Sequence, residues 1–191
     1  MYRNMLIYIL SILVIATVAR STDDKPVERR ERVMPVVKSS SLEEKIAAFM
    51  ESGVEKDVNT DHYKKEKIIS FAESLIGTPH VMGGYSSSGV DCSGLVKLAH
   101  AKSDVELPRS SHDQAKYGTI VSAGDELRRG DIVFFHSTYK KNHLITHTGI
   151  YLGDNKFIHA SSSRGVTIST LFDSGYYQKH YLFATRLAGD R

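Results

Sequence analysis

Tryptophan is absent, and the 191 residues include a single cysteine, Cys92, and only 4 prolines. One thiol excludes an intramolecular disulfide framework, and 4 Pro beside 14 Gly exclude a collagen-like or Pro/Gly-rich chain. Neither sign of charge dominates: Lys+Arg 25 against Asp+Glu 22 leaves a formal +3, too balanced to argue for a nucleic-acid partner. No internal repeat or low-complexity tract is visible. What is present is a 41% hydrophobic share, which rules out long intrinsic disorder, in a length that suits one core-bearing domain with appendages.

Long apolar runs are also missing. Arg3 precedes the fifteen mostly apolar residues Met5 to Ala19, and the chain turns polar at Arg20-Ser21-Thr22-Asp23. A membrane-spanning helix needs about 20 apolar residues. A basic start, a short apolar core and small residues at Thr17 and Ala19 read as a secretory signal over residues 1–19, cleaved near Ala19, with an uncleaved N-terminal anchor through residues 5–19 as the rival. No cysteine follows this run, so a lipoprotein-type acyl anchor has no attachment site. The expected location is therefore outside the cytoplasmic membrane, in the periplasm or cell envelope. A lone thiol there is open to oxidation unless it is buried or used.

Residues 20–40 carry charges, Pro26 and Pro35 without a sustained period, and read as a linker. Ser41-Leu42-Glu43-Glu44 has capping-box spacing and opens a short amphipathic helix ending near Gly53, within a helical extension over residues 41–60. A second helix is expected from Asp61 to Ile76, stopped by Gly77 and Pro79. Residues 80–91 form a loop, and Cys92 to about Lys102 a helix with Cys92 in its first turn. Ser111-His112-Asp113-Gln114 matches a further capping box. From there β-branched and aromatic runs take over at Asp131–His136, His147–Leu152, Lys156–Ala160, Val166–Ser169 and Tyr181–Arg186, separated by turns such as Gly153-Asp154-Asn155 and Arg164-Gly165. Helices first and strands second, at hairpin spacing, predict an α+β domain with a mostly antiparallel sheet of about five strands.

Gly89-Val90-Asp91-Cys92-Ser93-Gly94 concentrates the chemistry. With Asp91 at the N-cap, Cys92 lies at the positive end of a helix, where unpaired N–H groups favour thiolate over thiol. Gly94, with no side chain, leaves room for a ligand or a facing strand. A nucleophilic cysteine needs a base and a group to orient that base. His147 and His159 lie in consecutive strands of one expected hairpin, so their imidazoles meet if both point to one face. Asp91 itself reads as a structural acceptor at the cap. Taken singly, each histidine is more often a satisfied sheet residue and Cys92 more often core filler; the combination argues for catalysis.

The blocks Gly77-Thr78-Pro79, Gly83-Gly84, Asp91 to Val96, Leu107-Pro108-Arg109-Ser110-Ser111, Gln114, Gly130 to Phe135, His147 to Gly153 and Phe157 to Ala160 come in this order. They resemble the NlpC-type family of bacterial cell-wall cysteine peptidases over about residues 61–188, so residues 61–191 are read as its catalytic domain. The resemblance implies a papain-like core, a helix bearing the nucleophile packed on an antiparallel sheet bearing the base. It implies Cys92 as nucleophile, His147 as base and His159 as the orienting residue. The implied reaction hydrolyses an amide in peptidoglycan stem peptides, commonly the γ-D-glutamyl to diamino acid bond, without a metal or cofactor; a monomer is the default for a small hydrolase. Asp91, Ser93 and Arg109 are implied substrate-groove residues. The family usually has Tyr twelve residues before the nucleophile and an aromatic residue two further on. Here His80 and Met82 stand there, making His80 an oxyanion-site candidate.

Three rivals stand beside this reading. His143 and His147 are four apart with His136 and His159 in the same stretch, but that spacing does not converge on a metal along a strand. A wall-binding module with a weakened site keeps the fold and drops the chemistry. An amidase or acyltransferase keeps the chemistry and changes the acyl donor.

Overall fold

The computed structural model describes residues 41–122, 124–138, 143–173 and 175–187. The expected signal or anchor over residues 1–19 and the linker over residues 20–40 lie outside the described residues. Two longer helices come first. α1 (Leu42–Glu51) is closed by the capping box read from its sequence, with the Ser41 side chain accepting from the Glu44 N–H and the Glu44 side chain accepting from the Ser41 N–H. α2 (Lys65–Ser74) begins four residues later than the expected Asp61 and buries Ile68, Ile69 and Ala72. A two-strand ribbon, β1 (Tyr85–Ser86) with β2 (Gly89–Val90), leads into α3 (Cys92–Ala101).

The short helix α4 (Ser111–Gln114) is capped by Ser110, not Ser111, because the Ser110 hydroxyl takes the Asp113 N–H while Ser111 is buried. The strands are β3 (Thr119–Val121), β4 (Ile132–Phe135), β5 (His147–Gly153), β6 (Lys156–Ser161), β7 (Gly165–Thr170) and β8 (Tyr181–Arg186), with helix α5 (Tyr176–His180) before the last. They form one six-stranded sheet in the order β3-β8-β4-β5-β6-β7, antiparallel throughout. The sheet thus has one strand more than the sequence suggested. The addition is the three-residue edge strand β3, held by pairing with β8.

β4 shows why the centre of this sheet reads as an unbroken apolar run. Ile132 and Phe134 enter the core shared with α2 and α3, while Val133 and Phe135 enter a second core on the opposite face with Tyr151, Phe157 and Leu171. Both faces are dry, and each fully buried aliphatic or aromatic side chain stabilises by about 1.5–3 kcal/mol before entropy is counted. Residues 41–60 are part of this packing: Phe49 is buried in the larger core, and the Lys56 N–H donates to the Lys116 carbonyl. The β5–β6 turn uses left-handed backbone at Gly153 (φ 90), Asp154 (φ 50) and Asn155 (φ 59), residue types that tolerate it.

Candidate active site

Asp91 is extended, with φ −95 and ψ 177, and its Oδ1 accepts from the Gly94 N–H at 2.7 Å, so it caps α3 and leaves Cys92 as the first helical residue. Cys92 is 7% exposed and lines a cleft of about 640 Å³ together with His80, Asp91, Ser93, Arg109 and His147. Gly94 does not open a path for a ligand. A Cβ there would strike the Gly84 carbonyl oxygen and lie 3.0 Å from Asp91 Oδ1, so the glycine lets the preceding loop close onto the helix.

The helix-end N–H groups that favour thiolate are opposed here by the surroundings of the sulfur. Burial, the strongest influence, and then the Asp91 carboxylate push the thiol up to about 11, against the N–H groups of Thr148, Ser93 and Cys92 itself. The hydrogen-bonding role of Thr148 ties the sulfur to the head of β5, one residue past His147.

On the sheet side, Ile150 pairs with Ile158, so His159 falls opposite Gly149 and diagonal to His147 on the same face. His147 Nε2 is 3.0 Å from His159 Nδ1, with the rings edge to face. Gly149 makes this possible, since a Cβ on it would stand 2.6 Å from the Ile158 carbonyl oxygen and 3.1 Å from His159 Cβ. Burial pushes His147 down to about 4, helped by His80 and opposed by Asp91. Burial first, then His147 and Arg164, pushes His159 down to about 2. Both imidazoles are therefore neutral at ordinary pH.

The remaining predicted residues form the cleft wall. The Arg109 guanidinium holds the Asp91 carboxylate through Nη1–Oδ1 at 2.9 Å and Nη2–Oδ2 at 2.7 Å, and also donates to Ser93 Oγ and the Gly84 carbonyl. Burial raises the Asp91 pKa, but Arg109 and the Gly94 and Gly83 N–H groups outweigh it, and the net shift is downward. His80 bridges to Val90 and lines the cleft, with Met82 68% exposed at its mouth. His143 packs against His112 at 5.0 Å between ring centroids. Among the described residues no group of three or more His, Cys, Asp or Glu is placed to hold a metal.

Sequence reasoning did not find Tyr176, Tyr177 and Thr138, which also line the cleft. Tyr177 packs edge-on to His159 with ring centroids 5.0 Å apart. Nor did it find Ser169, whose hydroxyl lies 3.0 Å from His159 Nε2. Helix α5 is too short to show a period, and Ser169 is one hydroxyl residue in the edge strand β7.

A model of the NlpC/P60 family matches residues 77–186. The chain belongs to the NlpC/P60 family. It is 45% identical over 116 residues to the probable endopeptidase NlpC of Escherichia coli K12, covering 60% of this chain and 73% of that one. It is 38% identical over 126 residues to the gamma-DL-glutamyl hydrolase of Bacillus subtilis, covering 65% of this chain but 30% of that protein. The peptidoglycan hydrolase RipB of Mycobacterium tuberculosis superposes with a TM-score of 0.54 at 32% identity, over 66% of this chain and 65% of that one. With these neighbours the six-stranded antiparallel sheet and its packed helices are a papain-like α+β fold.

Proposed function

We propose that the protein is a cysteine endopeptidase that hydrolyses amide bonds in peptidoglycan stem peptides through Cys92, His147 and His159. The observation that carries this reading is the shared cleft: a cysteine opening α3 and a histidine opening β5 line it together, and the histidine is held from behind by a second imidazole. The bond assigned is that from γ-D-glutamyl to the diamino acid, as the resemblance to NlpC-type peptidases implies.

The resting pair is a neutral thiol and a neutral imidazole, so His147 acts as a general base during attack. The Cys92 Sγ–H proton moves to His147 as sulfur bonds to the scissile carbonyl carbon. The Cys92 N–H and the His80 ring receive the oxyanion. His147 returns its proton to the departing amine as the C–N bond breaks, leaving a thioester. Water, losing its proton to the same imidazole, then attacks the thioester and restores the thiol. Arg109, Asp91 and Ser93 shape the wall against which the stem peptide lies. No step requires a metal.

Digestion of purified peptidoglycan with the full chain, read by mass spectrometry, tests the reading. Wild type should release stem fragments that identify the bond, and Cys92→Ala and His147→Ala should release almost none. Equal release by Cys92→Ala contradicts it, and wall binding without any release favours the binding-module alternative. A peptidoglycan substrate supports a working location outside the cytoplasmic membrane, which fractionation of producing cells checks.

A further inference from the structure

The hydrogen-bond chain behind His147 does not stop at His159. His159 Nε2 lies 3.0 Å from Ser169 Oγ, and the same oxygen receives Arg164 Nη2 at 3.1 Å. Ser169 and Arg164 both act on the Tyr177 hydroxyl, opposing the upward push of burial on it. His159 itself is fully buried, its ring stacked on Phe157 at 4.7 Å between centroids and 20° between planes. The stacked ring presents Nδ1 to His147 and Nε2 to Ser169.

Proton counting along this chain allows two polarities. A neutral imidazole has one N–H and one lone pair. For His147 to take a proton on Nδ1, its own proton must be on Nε2. His159 Nδ1 must then be a lone pair, the His159 proton must be on Nε2, and Ser169 must accept it. In the opposite polarity Ser169 donates to His159 Nε2, His159 Nδ1–H donates to His147, and the His147 proton is forced onto Nδ1. That form cannot accept a proton from the thiol.

We propose that Ser169 is a positioning residue that sets the competent polarity, a role that rests on the peptidase reading of His147. The Ser169 proton goes to the Tyr177 oxygen, which leaves the Ser169 oxygen to accept from both His159 Nε2–H and Arg164. The guanidinium on that oxygen opposes a second proton on His159. The proton taken from Cys92 therefore stays on His147, beside the leaving amine, instead of passing into the sheet.

The test uses the full chain labelled with ¹⁵N-histidine, in which two-bond proton–nitrogen spectra report each ring's tautomer without any substrate. Wild type should show His159 protonated on Nε2 and His147 protonated on Nε2. Ser169→Ala should give mixed tautomers at both rings, with kcat on stem peptide reduced roughly 10- to 100-fold, part of the 10²–10⁴ that a general base supplies. KM should be unchanged, and Ser169→Thr should restore both readouts. His159 protonated on Nδ1 in wild type overturns the proposal, even if Ser169→Ala does not fold. So does a Ser169→Ala variant with unchanged tautomers and kcat. The expected tautomers in a protein that cuts no stem peptide would uphold the relay and reject the proposed substrate.

Discussion

Removing the Asp91 carboxylate probes the joint between the cleft loop and the helix that Cys92 opens. Its Oδ1 accepts the Gly94 N–H at 2.7 Å, and its Oδ2 accepts the Gly83 N–H at 2.9 Å. Arg109 adds two further bonds from a side chain that is 39% exposed. In Asp91→Ala the helix loses its cap, a loss of about 1 kcal/mol. The exposed Gly83 N–H exchanges its partner for water, at about 0.5–1.5 kcal/mol. Arg109 swings toward water and recovers hydration, so its ion pair adds little. The expected destabilisation is about 1.5–2.5 kcal/mol, or roughly 3–10 °C in melting midpoint for a domain of this size. Asp91→Asn keeps an oxygen for Gly94 and should lose about half as much. Urea unfolding at pH 7, with midpoint and slope fitted together, is the assay. Because the folded pKa of Asp91 is depressed, its charge contributes stability above the unfolded carboxylate pKa and loses it as pH falls through the folded value. The gap between wild type and Asp91→Asn should therefore narrow in acid. An Asp91→Ala protein within 0.5 kcal/mol of wild type, or a gap that widens in acid, refutes the reasoning.

Three more expectations rest on buried imidazoles. With His147 held down at about 4 and Cys92 up at about 11, kcat/KM should be level through neutral pH and fall on an acid limb near 4, whereas a limb near 6.5 contradicts the assigned neutral pair. His80→Tyr removes the ring whose electrostatic influence lowers the His147 pKa, so that limb should move to higher pH with turnover preserved or raised; an unmoved limb or a misfolded variant removes His80 from the site. His100, fully buried in α3, has Nδ1 on the Val96 carbonyl and Nε2 without a partner, and burial pushes it down from 6.5 to about 4. Its folded pKa lies below its unfolded one, so its contribution is complete above pH 6.5 and is lost as pH falls toward 4, at about 1.4 kcal/mol per pH unit. Stability measured from pH 7 to pH 4 should decline less steeply in His100→Leu, and parallel curves would contradict this.

What the sequence made legible were the features decided by local chemistry. Ser41 with Glu44, Asp91 before Cys92, and Gly153-Asp154-Asn155 each place a backbone-satisfying or left-handed residue where the chain needs one, and the helix and hairpin follow. The catalytic-site candidates were legible because a helix start and a hairpin are local objects that carry their residues with them. Features set by distant partners were not. Strand β3 exists because Thr119–Val121 meets the chain's last strand. The Ser110–Ser111 choice depends on which serine is buried. The upward push on the Cys92 thiol escaped because helix-end N–H groups are visible in a sequence while the desolvating wall around a sulfur is not. Ser169 and Tyr177 escaped for the same reason: their meaning lies in touching His159 across strand and helix.

The central claim is that a covalent bond forms between Cys92 and the substrate carbonyl. Rapid quenching of full-length protein mixed with a synthetic stem peptide, followed by mass spectrometry of its proteolytic fragments, measures this directly. The account predicts an acyl increment on the fragment containing Cys92 that disappears as hydrolysed product accumulates, and that is absent from Cys92→Ala. Product appearing at the wild-type rate with Cys92 unmodified throughout would contradict it.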